Sequence, residues 1–162
     1  MLTAFVLALA LKDAACPLER AHYTLRGTAP GNPVTADLRD IPTNADWPHG
    51  IALRLKDKTH DHWFLPYGGN GQGLTTHLGS ALPPDMPGWQ FPEPDGGPRR
   101  PMRIDLDYIA ASAGYDFDQG FTLRPGAPAP AHLLIPNLQY AFWYGLHEGM
   151  PYAFFDLTRC DP

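Results

Sequence analysis

The chain has 162 residues, of which 44% are hydrophobic and 12% aromatic, and this is enough apolar material for the core of one folded domain. Its formal net charge is −5 and it contains no basic run, which argues against nucleic-acid binding and disfavours an anionic membrane surface as partner. The 19 prolines and 16 glycines indicate many turns and loops between short elements.

The N-terminus is an apolar run, residues 2–11, which is shorter than the about 20 residues needed to cross a bilayer. We therefore predict no transmembrane segment. Residues 1–15 have the length and the small residues of a signal peptide, although no Lys or Arg precedes the apolar run. An ordinary buried N-terminal segment is the alternative. A lipoprotein site at Cys16 is a further alternative, which Asp13 disfavours because that position favours an aliphatic residue.

Two cysteines, Cys16 and Cys160, lie near opposite ends of the chain. In an exported protein such a pair forms a disulfide, and no neighbouring cysteine gives either one the spacing of a zinc or redox motif. We predict a Cys16–Cys160 disulfide that clasps one β-rich domain, residues 16–162, of a periplasmic or secreted protein. Two buried free thiols in a cytosolic protein are the alternative.

Alternation of apolar and polar residues predicts β-strands at four places. The alternating apolar residues are Tyr23 and Leu25; Ile51, Leu53 and Leu55; Ile104, Leu106 and Tyr108; and Ala153, Phe155 and Leu157. The polar turn 57–61 predicts a hairpin that continues into residues 63–65. Residues 137–144 fit either a short helix capped by Asn137 or a further strand.

The fold class that follows is mainly β, an antiparallel sandwich or partly open barrel with long Pro/Gly-rich loops and at most one short helix. The disulfide would hold the last strand beside the first. The glycine-rich stretch 68–73 lacks the ending of a phosphate loop and fits a hairpin or bulge. Residues 82–101, with seven prolines, predict an irregular flap over the β core, pinned by Trp89 and Phe91.

Histidines and aspartates supply the candidates for metal binding. His60 and His62 are two residues apart, so on a strand both project to one face, where His77 or Asp61 would complete a site for zinc or another divalent metal. Solvated or turn-capping histidines are the ordinary alternative. We predict no other cofactor.

Two Asp-x-Asp pairs offer a second kind of site. Asp105 and Asp107 form one pair, and Asp116 and Asp118 form the other. Paired carboxylates bind calcium or share acid and base roles. A solvated strand face for the first pair and turns for the second explain them without a ligand.

Aromatic residues in loop-like stretches are candidates for ligand binding, namely Trp47, Trp89 and Tyr67, because such rings combine apolar area with a polar edge. No serine occupies a nucleophile elbow, and a disulfide would consume both cysteines. The leading interpretation is a non-enzymatic binding or interaction module for a protein or carbohydrate partner. The alternative is a small metal-assisted hydrolase that uses the histidines or aspartates, and the sequence does not decide whether the protein is an enzyme. An enzyme should gather these groups in one pocket, whereas a binding module should expose aromatic rings.

Overall fold

The computed structural model describes residues 15–42, 49–67, 76–89, 105–118, 123–140 and 149–162. Eight antiparallel strands form a closed barrel. In chain order they are β1 (Ala21–Leu25), β2 (Thr35–Pro42), β3 (His49–Lys56), β4 (Asp61–Tyr67), β5 (Thr76–Ala81), β6 (Asp105–Ala111), β7 (His132–Leu134) and β8 (Phe155–Cys160). Each strand pairs with the next along the chain, and β8 pairs with β1.

Helical structure is slight in the described part of the chain. A turn of 3-10 helix, Leu18–Arg20, precedes β1, and residues 138–140 are helical. None of the helical segments in the described ranges has the length and apolar character to span a membrane. Of the predicted helix or strand at 137–144, the described residues favour the helix, and residues 141–144 lie outside the described part.

The predicted mainly β, antiparallel fold is confirmed, and the barrel is closed. Strand alternation places every second residue in the interior. The predicted inward residues of β1 and β3, together with Leu106, Tyr108 and Phe155, are buried. The predicted hairpin at 57–61 is confirmed by the pairing of β3 with β4. Ile104 lies outside the described residues.

Aromatic rings make up much of the interior. Tyr23, Phe64, Tyr108 and Phe155 are fully buried and belong to one core cluster with the inward aliphatic residues. The Tyr23 hydroxyl donates to the Pro130 carbonyl at 3.0 Å, so this buried polar group is satisfied. Burial raises the pKa of both Tyr23 and Tyr108, which keeps the two phenols neutral in the core.

The predicted disulfide is confirmed. Cys16 and Cys160 are bonded, with Cα atoms 5.8 Å apart and a sequence separation of 144. Cys160 is also the register partner of Ala21, so the bond lies at one end of the β1–β8 pair that closes the barrel. For a loop of this length the chain-entropy model allows about 4 to 5 kcal/mol of stabilisation as a ceiling. The bond fits an oxidising compartment.

A second apolar cluster lies on the outer face of β2 to β5. Its buried members are Ile41, Ala52, Leu65 and Ala81, whose side chains alternate with those of the core, and Trp63 and Trp89 pack against them. Trp89 belongs to the segment that follows β5, and its backbone N–H donates to the Met86 carbonyl at 3.0 Å. The described part of the Pro-rich segment, residues 82–89, thus lies against the barrel through Trp89 as predicted, while Phe91 lies outside the described residues.

Replacing Trp89 by Ala should remove the ring that covers the outer cluster. We expect Trp89→Ala to lower the free energy of unfolding by about 1 to 3 kcal/mol, less than a full core truncation, because Trp89 is only partly buried. Urea unfolding measures this. Met86→Ala is the matched control, since Met86 lies in the same segment and is 45% exposed. Equal midpoints for the two variants would contradict a pinning role.

Candidate functional site

The predicted metal ligands fall in two different places. His60 and His62 lie at the β3–β4 turn with their rings stacked, 5.6 Å between centroids. Burial and the neighbouring His60 lower the pKa of His62. His77 instead lies on β5, where its Nδ1 donates to Asp107 at 2.7 Å.

The remaining contacts at the β3–β4 turn have a structural explanation. The Asp57 carboxylate accepts the backbone N–H groups of Thr59 and His60, each at 2.7 Å, which closes the turn. Within the described ranges, no group of three or more His, Cys, Asp or Glu side chains is placed to hold a metal ion. The site of His60, His62 and His77 stays a prediction that these contacts do not support.

Of the predicted ligand-binding aromatics, the structure places one side chain. Trp89 packs on the outer cluster rather than standing free. Trp47 lies outside the described residues. Tyr67 ends β4, but its side chain also lies outside the described part. Aromatic ligand binding at these three positions therefore stays a prediction.

Other aromatic residues are exposed. Tyr115 and Phe117 are 46% and 48% exposed, and both belong to the connection that leaves β6. Tyr140 and Tyr152 are exposed as well. Tyr115, Phe117 and Tyr152 were not among the aromatic candidates predicted from the sequence, and Asp116 and Asp118 of the same connection were assigned to calcium or to turns. We call residues 112–118 the 112–118 loop.

Hydrogen bonds fix the 112–118 loop. The Ser112 hydroxyl accepts the backbone N–H groups of Gly114 and Asp116 at 3.1 and 3.2 Å, and the Ser112 N–H donates to the Asp116 carbonyl at 2.9 Å. Phe117 then pairs with Ala111 as an isolated antiparallel bridge. The loop is therefore a closed turn that folds back on the end of β6.

Tyr115 is the strained residue of this turn. Its φ of 66° lies in the left-handed region, which normally suits glycine and costs a bulky residue roughly 1 to 3 kcal/mol. The ring stacks on His132 with centroids 4.3 Å apart and planes 7° apart, and Phe154 contacts it edge-on at 5.4 Å. Arg26 donates to the Tyr115 hydroxyl at 2.8 Å. These contacts hold the strained conformation in place.

The two residues that contact the Tyr115 ring through polar groups, Arg26 and His132, are themselves held by a carboxylate. Arg26 donates to both oxygens of Asp156, at 3.0 and 2.7 Å, and His132 Nδ1 donates to the same carboxylate at 2.7 Å. The Arg26 hydrogen bond, aided by His132 and opposed by burial, lowers the pKa of Asp156. We call Arg26, Tyr115, His132, Phe154 and Asp156 the Tyr115 cluster.

The chemistry of the Tyr115 cluster favours binding over catalysis. The charge of Asp156 is matched by Arg26, so this carboxylate is a poor general base. Ser112, the nearest serine in sequence, uses its hydroxyl to close the turn. Both cysteines of the chain are in the disulfide. What the cluster presents to solvent is a ring held in one position.

Histidine–aspartate pairs recur around the barrel. His22 and Asp37, His77 and Asp107, and His132 and Asp156 are each direct register partners on neighbouring strands. In all three pairs Nδ1 lies 2.7 Å from a carboxylate oxygen. These pairs could not be predicted from the sequence, because they become neighbours only through strand register and no spacing along the chain reveals them.

The first of these pairs extends into a larger network. His22 Nε2 also lies 2.6 Å from Asp161, while Arg39 and Arg159 approach the imidazole to 3.1 and 3.0 Å. The His22 hydrogen bond lowers the pKa of Asp161. Two carboxylates and two guanidinium groups thus contact one largely buried ring, and the network joins Asp161 to β1.

The chain matches no protein-family model, no curated protein and no solved structure.

The lowered pKa of Asp156 gives a pH-dependent prediction. A carboxyl group whose pKa is depressed by folding stabilises the protein above its ordinary range and loses that effect as the pH falls through the folded-state value. We expect Asp156→Asn to be less stable than the wild type at neutral pH by about 1 kcal/mol or less. The difference should shrink as the pH falls from about 5 to about 2, since both side chains then are uncharged.

Urea midpoints of the two proteins across this pH range test the prediction. A difference that stays constant with pH would show that Asp156 acts through its shape or packing and not through its charge.

Proposed function

We propose that this protein is an exported, disulfide-clasped β-barrel domain that acts as a non-enzymatic interaction module, with the rings of Tyr115 and Phe117 as its contact surface. The partner is a protein or a carbohydrate. The observation that carries the proposal is Tyr115 itself, which is strained, fixed by the side chains of Arg26, His132 and Phe154, and still 46% exposed.

Strain at an exposed aromatic residue favours a functional role. Glycine would adopt the backbone conformation of Tyr115 without penalty, so an ordinary turn gains little from tyrosine at this position. Strained residues concentrate where function requires a fixed side chain. A binding role for the exposed part of the ring would explain why tyrosine occupies this position despite the backbone strain.

The ring is also prepared for binding. Association normally costs the entropy of fixing mobile side chains at an interface. The stack on His132 and the hydrogen bond from Arg26 already restrict Tyr115 in the free protein. Tyrosine is one of the residues on which binding energy at interfaces concentrates. A fixed, half-exposed tyrosine is therefore a favourable anchor for a partner.

The metal-assisted hydrolase has weaker support. It would need His60, His62 and His77, or the aspartates, to converge on one site. His77 instead pairs with Asp107, away from the stacked pair at the β3–β4 turn. Two histidines alone are fewer ligands than a catalytic zinc site normally uses.

Export is supported by the disulfide, because such bonds persist mainly in oxidising compartments. We expect the mature protein to begin between Leu11 and Cys16. N-terminal sequencing of protein recovered from its native host tests this, and a mature chain that retains Met1 would contradict export by a cleaved signal peptide.

A comparison of capture by matched variants tests the interaction surface. Oxidised wild type, Tyr115→Ala/Phe117→Ala and the control Met86→Ala/Tyr152→Ala are immobilised and exposed to the exported fraction of the native host. Both double variants remove two exposed side chains, but only the first changes the 112–118 loop. We expect a partner that wild type and control retain and that the loop variant retains about tenfold less, or about 1.4 kcal/mol.

Circular dichroism and urea midpoints confirm that each variant is folded before capture. Equal retention by the loop variant and the control would place the interaction elsewhere. Retention of no partner above a blank surface by the wild type would count against an interaction module.

A further inference from the structure

We infer that the 112–118 loop binds a cationic segment of a partner protein, with a Lys or Arg side chain over the exposed Phe117 ring. This inference rests on the proposed function and adds the chemistry of the partner. It follows from how rings and charges alternate in the loop and from which charges around the loop are already matched.

Rings and carboxylates alternate in the second half of the loop. The order is Tyr115, Asp116, Phe117 and Asp118, and residues 112–118 include no Lys or Arg. Asp116 and Asp118 are exposed together with the two rings. Arg26 already lies over the Tyr115 ring, with its Cζ 5.6 Å from the ring centroid, and His132 stacks on the same ring. The loop therefore offers a partner the exposed Phe117 ring in a field of negative charge.

The positive charge of Arg26, which contacts the loop, is already matched. Arg26 contacts Tyr115, but it also donates to both oxygens of Asp156. The pair carries no net charge, so it does not repel an incoming cation. Asp116, in contrast, forms no ion pair with any residue that the structure describes.

A cationic side chain is the ligand that uses both features. The face of an aromatic ring attracts Lys and Arg, and Arg also stacks on it. A neighbouring carboxylate adds attraction for the same group. The net charge of −5 steers a basic partner towards the protein and repels anionic ones. A neutral sugar would stack on the ring and donate hydroxyl hydrogen bonds to the carboxylates, but it would gain nothing from the net negative charge.

The test uses a defined probe and does not depend on the natural partner. The probe is a short Gly/Ser peptide with several lysines, and its control is the same peptide with every lysine acetylated. Amide shifts of the folded, oxidised, ¹⁵N-labelled protein report binding and its location. We expect the lysine peptide to shift amides of the 112–118 loop and to bind about tenfold more tightly than the acetylated peptide.

Salt gives a second readout. Raising the salt from about 0.1 M to about 1 M shortens the Debye length from about 10 Å to about 3 Å. Binding of the lysine peptide should weaken over this range, whereas any binding of the acetylated peptide should change little.

A matched pair of variants locates the site. Asp116→Asn/Phe117→Ala removes one carboxylate charge and one exposed ring from the loop. Asp85→Asn/Met86→Ala removes one charge and one exposed apolar side chain from the turn that follows β5. We expect the first variant to weaken binding of the lysine peptide about tenfold and the second to leave it within about twofold.

Three results would overturn the inference: no loop shifts with the lysine peptide, equal affinity for the two peptides, or equal loss of binding in the two variants. A neutral glucose hexamer separates this failure from failure of the proposed function. If the hexamer shifts the loop amides and the lysine peptide does not, the loop is an interaction surface for neutral sugars and the cationic partner is wrong. Failure of the capture comparison would instead remove the interaction surface itself.

Discussion

The structure depends on the pairing of β1 with β8, because this pair closes the barrel and joins segments from opposite ends of the chain. The pairing runs from Ala21 and Cys160 to Leu25 and Phe155, with a bulge after His22. Contacts so distant in sequence carry a high loop-closure entropy, so the pair needs support beyond its backbone hydrogen bonds. The disulfide supplies a covalent constraint at one end. On the outer face, three side chains at alternate positions, two in β1 and one just after β1, form hydrogen bonds with β8 or with the residue that follows β8. His22 contacts Asp161, Thr24 contacts Thr158 and Arg26 contacts Asp156.

The same closure assembles the Tyr115 cluster. Arg26 follows β1, His132 begins β7, Asp156 belongs to β8, and Tyr115 lies in the loop after β6. These four segments become neighbours only when β8 lies between β7 and β1. Arg26 therefore has two roles, since it links β1 to β8 and it orients an exposed ring. The surface that we propose for binding is built on side chains that barrel closure brings together, so its shape should persist without a partner.

The sequence was sufficient to predict features that arise from local residue patterns or from the number and positions of the cysteines. Strict alternation revealed β3 and β6, and the position of two cysteines near the two ends revealed the disulfide and the neighbouring first and last strands. It was insufficient for β2, β5 and β7. In β2 the apolar positions are Ala36, Leu38 and Ile41, so the alternation is weak and loses its period near the end of the strand. β7 has three residues, too few for any period to show. The histidine–aspartate pairs required strand register, which a single sequence does not contain. Tyr115 could not be identified as a candidate from the sequence, because no residue pattern predicts a left-handed backbone at a non-glycine residue.

The two ends of the β1–β8 pair are held by different kinds of contact. At the Cys160 end a covalent bond constrains the chain, and the network around His22 adds charged contacts to it. At the Phe155 end the ion pair of Arg26 and Asp156 lies at the surface, where such pairs contribute little to stability. An ion pair of small energetic value suits this position, because Arg26 must also hold the Tyr115 ring. Because the disulfide constrains the far end, the near end can use its charged groups to fix Tyr115, and the exposed rings of the 112–118 loop do not have to be buried for the barrel to stay closed.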